Sequence, residues 1–345
     1  MNYKSNLYSS IIEATNSIYT VCKQTPLKYS STLSELTGIH IYIKKEYKQH
    51  TGSFKLRGAT YKLQKIFDSD EVNSNIKEKI IVSASTGNHG IAVSYASKKL
   101  NENKNIQKSV LKSIIYSPYN VDESKVCLIK NQGAELNKVS SNNCLEAEIS
   151  AKEYASNTKG AFYISPYNDC DIIAGQGTIG YEILKDLDYK CDAIFVSVGG
   201  GGLIGGISEY VKNTTPDCII VGCQPFNSRV IYESLKDGKV LQDLPELETF
   251  SDGTAGGVEE DTLTFPIIQK NVDEFILADE KEISDAFCMI MELEKIVVEG
   301  SAALTLACLL KNKEKWQGKR VCIVLCGGNI SLKKVKDMIE YSTKN

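Results

Sequence analysis

The chain has 345 residues, 42% of them hydrophobic and 24% charged, which suits a soluble globular protein of two domains or one large α/β domain with an insertion. A formal net charge of -3 excludes the basic footprint of a nucleic-acid binder and the polybasic run of a membrane-surface protein. The 11 cysteines are scattered, odd in number and without a C-x-x-C pair, so they read as reduced, mostly buried thiols of a cytoplasmic protein rather than a disulfide framework.

The N-terminal stretch "MNYKSNLYSSIIEATNSIYT" lacks the apolar core of a signal peptide, and no later stretch is long and apolar enough to cross a bilayer. A first strand is expected at 39–46, followed by "TGSFKLRGAT", in which Lys55 stands between Phe54 and Arg57. One reading makes this the start of an amphipathic helix with Ser53 near its N-cap; the other makes Lys55 a reactive amine. Further strands are expected at 79–85, 112–117, 134–139, 161–165, 193–198, 218–224 and 320–326. Helix-length segments lie between most of them, among them "NHGIAVSYASKKL", "CLEAEISAKEYAS", "GTIGYEILKDL" and "LIGGISEYVKN". This alternation predicts βαβ units, with twisted, mostly parallel sheets flanked by helices. Ligands of such sheets gather at the carboxyl ends of strands, which directs attention to "SASTGNHG", "SVGGGGLIGG" and "CGGNIS".

In "SVGGGGLIGG" the consecutive Gly199, Gly200, Gly201 and Gly202 follow a strand and precede a helix. Backbone amides can crowd around an anion there, beside the positive end of the helix dipole. Gly200, Gly202 and Gly205 also satisfy the G-x-G-x-x-G dinucleotide fingerprint. That fingerprint expects an acidic residue at the end of the next strand, and the chain has Gln224 followed by Pro225. A single phosphate on a smaller cofactor fits better.

A phosphate site, an isolated lysine beside an aromatic, and Asn88 in a glycine-flanked loop together suggest pyridoxal phosphate. The stretches "TPL" (25–27), "TGSFKLRGA" (51–59), "STGNHG" (85–90), "AGQGTIGYEI" (174–183), "SVGGGGLIGG" (197–206) and "CGGN" (326–329) resemble, in order and over nearly the whole chain, fold-type II pyridoxal-phosphate enzymes of the serine/threonine dehydratase and serine racemase group. The resemblance implies a tryptophan synthase β-like α/β fold. A large domain would be formed by 1–75 and 160–345, with a nested small domain at 76–159 and the active site between them. It implies that Lys55 carries the cofactor as a Schiff base and takes the substrate Cα proton, and that Phe54 packs on the pyridine ring. Asn88 would hydrogen-bond the cofactor 3′-hydroxyl, Gly199 through Leu203 would hold the phosphate, and Cys326 would face the ring nitrogen. Ser85, Thr86 and the amides of Asn88 and His89 would hold the substrate carboxylate; no proton transfer is expected of His89. Glu299 and Asp252 fall where the group has acids facing the site, and each can equally be a structural cap or loop acceptor.

The same resemblance bears on reaction type. A neutral thiol at Cys326 leaves the ring a poor electron sink, which favours α,β-elimination. Racemases of the group have a serine where this chain has Thr86, whose β-branching restricts χ1. Metal-binding members carry acids where this chain has Gln224 and Val230, so no Mg²⁺ or Ca²⁺ is expected there; with only His40, His50 and His89, a histidine-built metal site is not expected either. The implied activity is that of an L-threonine/L-serine dehydratase (ammonia-lyase) acting on a small hydroxy-amino acid as a cytoplasmic homodimer. The alternatives are serine racemase, or a dehydratase for another hydroxy-amino acid, as in hydroxyectoine utilisation or 3-hydroxyaspartate breakdown. The glycine-rich segment 251–265 resembles the corresponding part of hydroxyectoine-utilisation dehydratases. The chain stops soon after "CGGNISLKKVKDMIEYS", so the C-terminal regulatory domain of biosynthetic threonine dehydratases is not expected. A pyridoxal-phosphate carrier is the non-enzyme alternative; it would bind cofactor without releasing a 2-oxo acid.

Overall fold

A computed structural model describes residues 7–69, 78–85, 87–102, 110–119, 123–141, 144–242, 244–245 and 247–344. Among the described residues ten strands form two sheets. β1 (Leu27–Tyr29), β2 (His40–Lys45), β7 (Ala193–Ser197), β8 (Ile219–Pro225), β9 (Glu274–Ala278) and β10 (Arg320–Leu325) make a six-stranded sheet in the order β1-β2-β10-β7-β8-β9. It is parallel except for β1, which runs antiparallel to β2. β3 (Glu78–Ala84), β4 (Val110–Ser117), β5 (Glu135–Lys138) and β6 (Ala161–Tyr163) make a parallel four-stranded sheet in the order β5-β4-β3-β6. Because β6 pairs with β3, a boundary at 159/160 would cut off the edge strand of the smaller sheet.

All eight strands expected from the sequence are present; β1 and β9 were not expected. β1 has only three residues, Leu-Lys-Tyr, and exists through its pairing with β2, so it carries no periodicity of its own. The middle of the large sheet reads as an unbroken apolar run because helices cover both faces. Val321, Ile323, Val324 and Leu325 of β10 and Ile194, Phe195 and Val196 of β7 are wholly buried.

Topology builds the site. β10 lies between β2 and β7, with Ile323 in register with Ile43 and Phe195. The three strands are parallel, so the loops "TGSFK", "CGGN" and "GGGG" leave the same edge of the sheet although they are far apart in sequence. The first two are stitched together: the Phe54 amide donates to the Cys326 carbonyl (3.0 Å), the Gly328 amide to the Gly52 carbonyl (2.9 Å), and Ser53 forms a β-bridge with Gly327.

The helix that begins at Lys55 (Lys55–Asp68) is secured at both ends. At its C-terminus Lys79, from β3, donates its ammonium to the carbonyls of Ile66, Phe67 (3.3 Å) and Ser69 (2.9 Å). Near its start the wholly buried Arg57 places Nε and Nη2 on Glu46 (2.8 Å each) and Nη1 and Nη2 on Glu182 (2.6 and 2.8 Å). Lys44, also wholly buried, donates to Glu182 (2.5 Å) and to the Thr25 carbonyl (2.7 Å), and the Tyr19 hydroxyl donates to Glu182 (2.7 Å). Burial opposes the charge on Glu182, but Arg57 and then Lys44 outweigh it and hold this carboxyl below the usual range. Two cations thus meet two anions, and this buried cluster is electrically neutral.

Candidate active site

Lys55 is the first residue of its helix and is partly buried. The N-cap is Phe54, in helical conformation and without a side-chain capping bond, so the expected capping by Ser53 does not occur. Ser53 is wholly buried in the bridge to Gly327, and its hydroxyl has no partner among the described residues. The Lys55 ammonium donates to the Pro166 carbonyl (2.8 Å) and lies 5.1 Å from the centroid of the Phe54 ring. Burial pushes its pKa down to about 8, with Cys326 and Glu299 pulling the other way.

The glycine loop leaves β7 and opens the helix Gly202–Thr214. Gly201, the N-cap, has φ +88°, a left-handed conformation that glycine adopts freely, and a β-carbon on Gly200 would sit 2.5 Å from the Tyr167 ring. The Thr264 hydroxyl fixes the loop by donating to the Gly200 carbonyl (2.7 Å). Among the described residues, no acceptor is offered to the amides of Gly199, Gly200, Gly201, Gly202 or Leu203. Five successive donors at a helix N-terminus, with no side chain on the first four, form a cradle for a dianionic phosphate. The loop therefore fits the phosphate of pyridoxal phosphate, and the amine held by Pro166, the residue before Tyr167, fits its aldehyde.

"STGNHG" joins β3 to the helix Asn88–Glu102. Ser85, directly after β3, is partly buried; Thr86 lies outside the described residues. The Asn88 amide group donates to both oxygens of Glu299 (2.9 and 3.0 Å), and its carbonyl oxygen accepts from Asn329 (2.6 Å). Glu299 is the N-cap of the helix Gly300–Lys311 and also accepts from the Asn329 amide (2.8 Å) and the Ser301 hydroxyl (3.3 Å). Burial raises its pKa. The Cys326 thiol lies 3.6 Å from the Ser301 hydroxyl, and burial, then the charge of Glu299, pushes it up to about 12; it is a neutral thiol. His89 sets Nε2 3.1 Å from the Ile164 carbonyl, while its buried Nδ1 has no partner among the described residues. Burial, reinforced by Lys55, lowers its pKa to about 3, so the ring is neutral and Nε2 carries the hydrogen.

Of the two acids singled out in the sequence, Glu299 thus joins the site, whereas Asp252 forms an ion pair with Lys334 at the surface. Gln224, where metal-binding members have an acid, is wholly buried; its amide donates to the Val198 carbonyl (3.2 Å) and its oxygen accepts from the Tyr232 amide (2.8 Å). Sequence reasoning missed the turn 164–168 altogether. Its Pro166 carbonyl holds Lys55, its Tyr167 ring packs on Gly200, and Asn168 accepts from the Leu263 amide (2.8 Å). These contacts use a backbone carbonyl, a ring face and a loop amide, none of which leaves a residue pattern to read.

Residues 18–327 match the family described as pyridoxal-phosphate dependent enzyme. The L-threonine ammonia-lyase of Thermotoga maritima is 36% identical over 95% of this chain and 77% of its own length. The serine racemase of Dictyostelium discoideum is 35% identical over 95% of this chain and 96% of its own length. Among solved structures, the processed form of threonine deaminase isoform 2 from Solanum lycopersicum superposes with a TM-score of 0.86 at 29% identity, covering 98% of this chain and 93% of that one. A match of this extent, together with the lysine and the glycine cradle, places the chain in the pyridoxal-phosphate dependent enzyme family.

Proposed function

We propose that this chain is an L-threonine/L-serine ammonia-lyase that converts its substrate to a 2-oxo acid and ammonia. The observation that carries the reading is the pairing of five unpartnered loop amides with a lysine whose amine is pushed down to about 8. Bound pyridoxal phosphate supplies an electron-withdrawing ring that acidifies the substrate Cα–H. The amides of Gly199 through Leu203 would hold the phosphate, the Phe54 ring would pack on the pyridine and Asn88 would serve the 3′-hydroxyl. Lys55 would hold the cofactor and would serve as the base for the substrate Cα proton, for which a lowered pKa suits it. Ser85, Thr86 and the amides of Asn88 and His89 hold the carboxylate. The neutral thiol of Cys326 would stand at the ring nitrogen as a weak donor, which would favour departure of the β-hydroxyl. Gln224 braces the strand end before the glycine loop where metal-binding members use carboxylates, so no divalent cation is needed at that position.

The smaller unit comprises 76–159, extended through β6, nested in a larger unit of 1–75 and the remainder; the protein works as a cytoplasmic homodimer. The kinship with serine racemases supports racemisation as the second reading. Screening hydroxy-amino acids for 2-oxo acid release, with D-serine measured alongside, tests both. Binding of cofactor with no 2-oxo acid from any of them would refute the ammonia-lyase.

A further inference from the structure

The Ile164–Pro166 stretch follows β6, with the Ile164 amide still donating to Val82 of the neighbouring strand (2.8 Å). Its two outer carbonyls are both used. Ile164 accepts from His89 Nε2 (3.1 Å) and from the Ser83 hydroxyl (3.0 Å), and Pro166 accepts from Lys55 (2.8 Å). The Ser165 hydroxyl accepts from the amides of Tyr167 (3.4 Å) and Asn168 (2.9 Å), which fixes the turn that follows. We propose that this stretch is the seat of the Lys55 amine whenever the amine is not bonded to cofactor, and that His89 is the positioning residue that holds the seat in place. The inference rests on the reading of Lys55 as the cofactor-bearing base and adds where that base stands while it works.

A lysine side chain has several rotatable bonds, and a fixed acceptor reduces the freedom it must lose before reacting. His89 suits the task because it is neutral: it orients a carbonyl without adding a positive charge beside the ammonium. The other titratable groups facing Lys55 are Cys326, after β10, and Glu299, at the start of its helix.

The test is competitive acetylation of the cofactor-free protein over roughly pH 6 to 11, with the reactivity of Lys55 read by peptide mass mapping. Wild type should give an inflection at about 8. In His89→Phe the ring is retained and the donor lost, so the ammonium loses part of its acceptor and the inflection should fall by about one unit. His89→Gln, which keeps an N–H, should return toward wild type, and adding Ser83→Ala to His89→Phe should deepen the fall. An unchanged inflection would overturn the proposal, and a rise would identify His89 as a charged neighbour instead. If His89→Phe does not fold, Ser83→Ala alone must shift the inflection in the same direction. Failure of the underlying reading is separate: borohydride would then fix the cofactor of the wild-type protein on another lysine.

Discussion

Lys55 and Arg57 are two residues apart on one helix, yet their surroundings are opposites. Around Arg57 each carboxylate oxygen of Glu46 and Glu182 meets at least one donor, and the charges cancel. Around Lys55, among the described residues, the amine has a single carbonyl, the glycine-loop amides have no acceptor, and the hydroxyls of Ser53 and Thr51 and Nδ1 of His89 are buried without partners. Buried polar groups are normally satisfied, so the first cluster is what a structural device looks like. The second is arranged for something that arrives. The rigid cluster anchors the helix, and the incomplete one uses the resulting precision.

The contrast should break most sharply at Lys55. Lys55→Ala should lose turnover by about 10³-fold or more, as expected for removal of a general base that also binds the cofactor. Its melting temperature should stay close to wild type, because the amine loses solvation on burial and its removal leaves no charge stranded. Borohydride reduction followed by digestion should place the cofactor on Lys55 in wild type and nowhere in the variant. Because the neutral amine is the form that reacts, cofactor capture by wild type should rise with pH through about 8.

Arg57→Met should do the reverse. With Arg57 gone, Lys44 still meets Glu182 but Glu46 loses its cation, and stranding a buried charge costs roughly 3–5 kcal/mol. The loss is read as a fall in the urea midpoint, while folded protein should still show the spectrum of bound cofactor. A variant with normal stability and no cofactor would show that the two clusters cannot be separated in this way.

Two smaller effects sharpen the picture of the incomplete site. Thr86→Ser should raise D-serine formation relative to pyruvate from L-serine, since each 1.4 kcal/mol of barrier difference is about tenfold in that partition. A wild-type protein that already makes D-serine faster than pyruvate would favour the racemase. The last expectation is no effect: EDTA should leave activity unchanged, because Gln224 bridges the Val198 carbonyl and the Tyr232 amide directly. Loss restored by a divalent ion would show a cation site at which these contacts are replaced.

The sequence by itself determined the alternation of strands and helices, the glycine loop and the lysine, because each is local. Apolar runs of strand length, four glycines in a row and an amine beside an aromatic carry their meaning within a few residues. It left undecided whether Glu299 and Asp252 face the site, and the structure separates them: Glu299 joins Asn88 and Asn329, and Asp252 pairs with Lys334. The role of Arg57 could not be read from its own stretch, since its partners come from Thr25 before β1, Glu46 in the turn after β2 and the Cys170–Asp186 helix. β1, the turn at 164–168 and the acceptor for Lys55 were decided by tertiary structure alone. Parallel strands brought distant loops to one edge, and the groups that meet there are carbonyls and amides, which every residue except proline carries in full and which no sequence pattern can mark.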